Sequence, residues 1–153
     1  MKVKFFEKDT GLDENSIGAG VYRFKIGMKN SKKDDNFLTI YIGESLTMLK
    51  RCGEHMYELY KNPKYFGLSE RHLSDNDLEL VVEVYQKLDS RYSYPKSKYH
   101  LRKMESLAIA KLKPLSQNKH SDRLNKNRVN IVGNAIDELK LQSLENDKEV
   151  SIC

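Results

Sequence analysis

The feature that most constrains this chain is a pair of segments with a two-residue hydrophobic period, followed at once by a segment with a helical one. Gly20-Val-Tyr-Arg-Phe-Lys-Ile26 alternates apolar and polar residues of β-branched and aromatic type, and Phe37-Leu-Thr-Ile-Tyr-Ile42 has the same strand character. The polar stretch Asn30–Asn36 between them predicts a turn, so the two form a β-hairpin. From Thr47 the period changes. Met48, Cys52, His55 and Leu59 fall at spacings of 4, 3 and 4, one face of a helix that ends near Asn62-Pro63.

Residues 64–77 read as a connector with one short helical turn, and Asp77–Tyr85 as a third strand. Ser90–Lys96, with Pro95, reads as a loop. Ser97 is the expected N-cap of a helix running to about Leu112, with Pro114 just beyond. Val129, Val132, Ile136 and Leu139 predict a C-terminal helix over about 129–146, packed on its own domain and contributing to a homodimer contact. The expected fold class is α+β: one domain over 1–153, with a three-stranded antiparallel sheet flanked by helices and an added C-terminal helix.

Length and composition agree with one domain. The chain has 153 residues, against ~100–200 for an ordinary domain. With 39% hydrophobic and 32% charged residues it can bury a core and stay hydrated, which excludes a disordered chain. No run approaches the ~18 apolar residues of a membrane span. The N-terminus has only Phe5-Phe6 between charges, so neither an anchor nor a signal peptide is expected, and the expected compartment is the cytoplasm. Cys52 and Cys153 are too few for a disulfide framework or a structural zinc site and are expected as thiols.

Charge is uneven. Residues 91–128 hold 11 Lys or Arg against Glu105 and Asp122, an excess of +9 in a chain of net charge +5, which leaves −4 elsewhere. Such a block suits a phosphate-bearing partner, though a solvated lysine-rich face has the same composition. Two apolar stripes also carry polar residues. Glu105 lies in the stripe Leu101–Ala108–Leu112, where an unpartnered carboxylate is costly, and His55 lies in the stripe of the preceding helix with Arg51 one turn before it. Taken alone, either helix reads first as structural, a satisfied core histidine and a structural Arg–Glu pair.

The combination is more specific. Gly20-Val-Tyr22 and Tyr41-Ile-Gly43 in a hairpin, then Arg51, His55, a helical Glu105 and Pro114-Leu-Ser-Gln-Asn118, resemble the GIY-YIG superfamily of nucleases over residues 18–118. That resemblance implies a Mg²⁺- or Mn²⁺-dependent endonuclease acting on DNA. It implies that Tyr22 activates the attacking water, that Tyr41 sets the hydrogen-bond network, and that Arg51 contacts the scissile phosphate. By the same resemblance His55 partners Tyr22, Glu105 binds the metal and Asn118 supports the site. These residue types suit phosphodiester hydrolysis, which needs an activated water and charge neutralisation at phosphorus. Tyrosine, with a pKa near 10, needs help to act as a base.

Lys98, Arg102 and Lys103 share a helix with Glu105 and are expected to bind backbone phosphates. The chain departs from the family where Glu44 follows Tyr-Ile-Gly, a place where many members have lysine. Lys50 or Lys103 is expected to supply that cation. The 18 residues between the two tyrosines also make a longer loop than in compact members. With only ~35 residues after Asn118, too few for a separate DNA-binding module, a small restriction-type enzyme acting as a homodimer is the expected subclass. The alternative is a DNA- or partner-binding module on the same fold with weak or lost catalysis, motivated by Glu44. A nucleotide cofactor is not expected: Gly18-Ala-Gly20 lacks a third glycine, and there is no P-loop.

Overall fold

The computed structural model describes residues 1–29, 31–89, 93–117 and 126–150. In chain order the elements are β1 (Lys2–Phe5), a minor hairpin of β2 (Glu7–Lys8) and β3 (Gly11–Leu12), β4 (Gly20–Met28), β5 (Phe37–Ser45), α1 (Met48–Lys61), α2 (Glu70–Leu73), β6 (Leu78–Lys87), α3 (Tyr94–Leu112) and α4 (Lys126–Val150). The architecture is α+β. Its main sheet has four strands in the order β1-β6-β4-β5, with β4 antiparallel to β5 and β6, and β1 parallel to β6.

The three strands expected from the sequence are therefore three of four, and the sheet is mixed rather than purely antiparallel. The added strand, Lys-Val-Lys-Phe, is four residues long and has a lysine at every second position. That composition suits an exposed sheet edge, where lysine discourages pairing with other chains. Lys4 reaches Glu79 of β6 at 3.1 Å, and the N-terminal ammonium donates to the Leu73 carbonyl at 2.7 Å.

Alternation along β4 sorts its side chains onto two faces. Tyr22, Phe24 and Ile26 join Leu80, Val82, Met48, Cys52, Leu59 and Phe66 in the main core, which α1 and α4 cover. Val21 points the other way, with Ile42, against Ala108 of α3. Fully burying one such aliphatic or aromatic side chain stabilises by about 1.5–3 kcal/mol, so the hairpin is held from both sides.

On the same face as Val21, the Arg23 guanidinium is buried and meets Glu83 at 2.8 Å and Asp34, while Lys25 reaches Asp34 at 2.9 Å and Glu83 at 3.1 Å. Hydrogen bonds from Arg23 and then Lys25 hold the Asp34 carboxyl well down, at about 2. Much of the long interval between the tyrosines is strand, since β4 runs on to Met28 and β5 begins at Phe37, and Asp34 ties the intervening 3₁₀ turn back to β4.

Helix α3 begins four residues before the expected start. Pro95 sits in its first turn, where a missing N–H costs nothing, and Ser97 is a buried residue inside the helix whose N–H bonds to the Ser93 carbonyl at 2.8 Å. Ser93, not Ser97, is the cap position. The C-terminal helix likewise begins earlier than Val129 and extends to Val150. Val132 and Ile136 are fully buried in the main core, so the centre of that stripe is not a free dimer seam. Among the described residues, no helix is long and apolar enough to cross a membrane.

The outer edge of β5 is covered by the segment after α3. Leu115 N–H donates to the Thr39 carbonyl at 3.0 Å and Ser116 N–H to the Ile40 carbonyl at 2.8 Å. The Gln117 amide accepts from Ile42 N–H at 3.1 Å and donates to the Ile42 carbonyl at 2.9 Å. Gln117→Ala is expected to lower stability by about 1–3 kcal/mol, because both Ile42 backbone groups lose their partner. Urea unfolding measures it, and an unchanged midpoint counts against this clamp.

Candidate functional site

The hairpin, α1 and α3 meet at a polar hollow of about 520 Å³ lined by Tyr22, Tyr41, Glu44, Ser45, Leu46, Arg51, Lys98 and Glu105. The register explains the convergence of the tyrosines. Tyr22 pairs with Gly43 and Phe24 with Tyr41, so all four positions belong to one face of the hairpin. Just beyond, the register slips: Lys25 pairs with Thr39, leaving Ile40 unpaired, and β4 slips against β6 between Val21 and Tyr22. Such bulges re-aim side chains locally. Gly43 is required by the same geometry, because a Cβ there would lie 2.5 Å from Cζ of Tyr22 and closer still to its hydroxyl.

Behind Tyr22 stands a chain of hydrogen bonds. The Tyr22 hydroxyl and Nε2 of His55 share one at 2.8 Å, and Nδ1 of His55 shares another with the Tyr65 hydroxyl at 2.8 Å. His55 is held among the rings of Phe24, Tyr41 and Phe66. Burial, reinforced by the nearby Arg51 charge and opposed by Glu54, brings its pKa down to about 4, so the imidazole is neutral at pH 7. Burial raises Tyr22, as do the neighbouring Tyr41 and Cys52, while Arg51 opposes the rise. Burial and then the Glu105 charge push Tyr41 up to about 12. Both tyrosines are neutral phenols at pH 7.

A pH dependence of stability follows from His55. Above its ordinary value of 6.5 it is neutral in both folded and unfolded chains; between 6.5 and about 4 the unfolded chain binds a proton that the folded one refuses. Stability therefore falls as pH drops through this window, by on the order of 3 kcal/mol at its lower end. Thermal melts of the wild type and His55→Gln at stepped pH measure the effect. The variant should show a shallower slope between pH 7 and 4, and parallel slopes would remove His55 as the cause.

The charged lining is balanced. Arg51 is half-exposed and pairs with Glu54 at 3.1 Å, and Lys98 pairs with Glu44. The half-buried Glu105 has its pKa raised, by burial first and by the Glu44 charge second, against Lys98, the Glu44 backbone amide and Arg102. Among the described residues there is no group of three or more His, Cys, Asp or Glu side chains able to hold a metal ion. The hollow offers two carboxylates, both hard oxygen donors.

Of the residues singled out from the sequence, Tyr22, Tyr41, Arg51, Lys98 and Glu105 line this hollow, and His55 is bonded directly behind Tyr22. Lys50, Arg102 and Lys103 are exposed and do not line it, so the cation standing by Glu44 is Lys98 rather than Lys50 or Lys103. Asn118 lies outside the described residues. Two contributors had no sequence signal. Tyr65 comes from the irregular connector after α1, and Gln117 acts through a backbone contact with a distant strand. A second hollow between α2 and α4, lined in part by Arg71, His72, Asp75 and Asp137, contains none of the candidate residues. Comparison with family models, with curated proteins and with solved structures finds no match to this chain.

Proposed function

We propose that this chain is a Mg²⁺-dependent endonuclease of GIY-YIG type that hydrolyses DNA phosphodiesters. The observation that carries the reading is one hollow in which two strand tyrosines, a helical arginine and a carboxylate from a second helix converge, with a neutral histidine bonded behind one of the tyrosines. In this reading Tyr22 holds the attacking water and accepts its proton while passing its own hydroxyl proton to Nε2 of His55. The Nδ1–H of His55 donates to the Tyr65 hydroxyl oxygen and orients the ring, so the proton received at Nε2 rests on the imidazole only while the step lasts. This hand-over matters because the raised pKa of Tyr22 makes a standing phenolate inaccessible.

Arg51 presents its planar fork of donors to the phosphate oxygens. Tyr41 flanks Tyr22, with ring centroids 6.3 Å apart, and limits its movement. Glu105 would hold the divalent cation. The donor chemistry fits Mg²⁺, which binds through one or two carboxylates and keeps the rest of its shell for water and substrate phosphate. When bound, the ion supplies charge neutralisation on the phosphate and its leaving oxygen. Arg102 and Lys103, exposed on α3 beside Glu105, are placed for sequence-independent contacts to flanking phosphates. Cutting both strands of a palindromic site, the restriction-type subclass of this reading, requires two copies of the chain.

A second reading, a DNA-binding module with weak or no catalysis, draws support from the Lys98–Glu44 pair, which occupies a cation that phosphate would otherwise take. Supercoiled plasmid incubated with the pure protein in Mg²⁺ or EDTA separates the two. Mg²⁺-dependent nicking or linearisation supports the nuclease. Retarded plasmid without any cut supports the binding module.

A further inference from the structure

We propose that Glu44 is a second carboxylate ligand for the divalent cation at this hollow, and that Lys98 is the resident counter-ion that the cation displaces. The proposal rests on the nuclease reading only in taking Glu105 as the first ligand.

The Glu44 side chain is 10% exposed. One carboxylate oxygen, Oε1, takes Lys98, while the other, Oε2, is buried and has no hydrogen-bond partner among the described residues. Leaving a buried acceptor unpaired costs about 1–3 kcal/mol, more when it carries charge, so an orphan carboxylate oxygen on the wall of a polar hollow marks a place for a cation or donor. Glu105 lines the same hollow, close enough for the charge on Glu44 to disfavour its ionisation. Lys98 takes only one oxygen of Glu44, so the second oxygen and the Glu105 carboxyl are left to a divalent cation at the same hollow.

The consequence is a charge exchange between two elements. An acid, Glu44, follows Tyr41-Ile-Gly43 in β5, and the lysine that meets it comes from α3. While Lys98 is paired with Glu44, its charge offsets the repulsion between the two carboxylates without metal. Once a divalent cation takes Glu44 and Glu105, the Lys98 ammonium is released into the same hollow, where a phosphate is the natural acceptor. The site would then bind metal and phosphate cooperatively, because each removes a competitor of the other.

Titration of the full chain with Mn²⁺, followed through the electron paramagnetic resonance of the free ion and without DNA, tests this directly. Glu44→Gln is expected to weaken Mn²⁺ binding roughly tenfold or more, as does Glu105→Gln, since affinity follows ligand charge. Lys98→Met is expected to tighten it several-fold, and this variant keeps the test decisive if Glu44→Gln does not fold. Wild-type affinity in Glu44→Gln, unchanged or weaker affinity in Lys98→Met, or no saturable binding by the wild type overturns the proposal. Cleavage is assayed on the same samples. Glu44-dependent binding without cleavage removes the nuclease reading and leaves the metal site, whereas cleavage with Glu44-independent binding does the reverse.

Discussion

Glu105→Gln is expected to reduce Mg²⁺-dependent cleavage by roughly a thousandfold or more while leaving the fold intact. A bound ion contributes several kcal/mol of charge stabilisation, and each ~1.4 kcal/mol is a decade in rate. Glutamine keeps the shape of the side chain and removes the charge that holds the ion. Because Glu105 is half-buried beside Glu44, which already disfavours its charge, the substitution should not lower stability and relieves repulsion between the two carboxylates. Single-turnover cleavage of labelled duplex, with thermal melts alongside, measures both. A variant that cuts at the wild-type rate in Mg²⁺ removes Glu105 from the chemistry, and with it the nuclease reading of the hollow. DNA binding in EDTA should be unchanged, since the phosphate contacts are assigned to Arg51 and the α3 cations.

Gly43→Ala is the second large effect expected, and it arises from a residue with no side chain. A methyl group there would stand 2.5 Å from Cζ of Tyr22. The ring is fully buried against Phe24, Tyr41 and His55, so it cannot swing away without loss of packing. Overpacking of this kind costs about 1–3 kcal/mol of stability and moves the hydroxyl off His55. Positioned acid–base groups are worth about 10²–10⁴ in rate, so cleavage should fall by about a hundredfold or more, as in Tyr22→Phe. The double variant should be little worse than either single one, because the hand-over to His55 is already lost. Independent, multiplying losses would show that Gly43 acts on something other than Tyr22.

The convergence of the candidate residues is partly legible in the sequence because several of them sit at fixed places on regular elements. A two-residue period puts Tyr22 on one face of its strand, and the 4-3-4 spacing puts His55 on the inward face of α1 together with Met48, Cys52 and Leu59. These local periodicities also give the hairpin, the limits of α1 to within about one residue, and the end of α3 at Leu112. Where local signals are short or ambiguous the sequence is silent or misleading. The strand β1 has four residues, half of them lysine, and is a strand only because β6 offers a free edge beside it. Ser93 and Ser97 both precede helix-forming residues, and Pro95 is as much at home in the first turn of a helix as in a loop.

The stripe Val129–Leu139 illustrates the same limit. Its spacing suits a core lid and a dimer seam equally, and only the packing of Val132 and Ile136 against the sheet decides for the core. The charge relations of the hollow lie entirely beyond local reading. Nothing in the sequence says that Lys98 rather than Lys50 or Lys103 meets Glu44, that Tyr65 completes the bond to His55, or that Gln117 grips both backbone groups of Ile42. Sequence patterning determined which side chains face inward, since that depends on the period of the backbone alone. The tertiary structure decided which of them meet, because pairing between residues 54 or 75 positions apart depends on how helices and strands pack, and no local period encodes that distance.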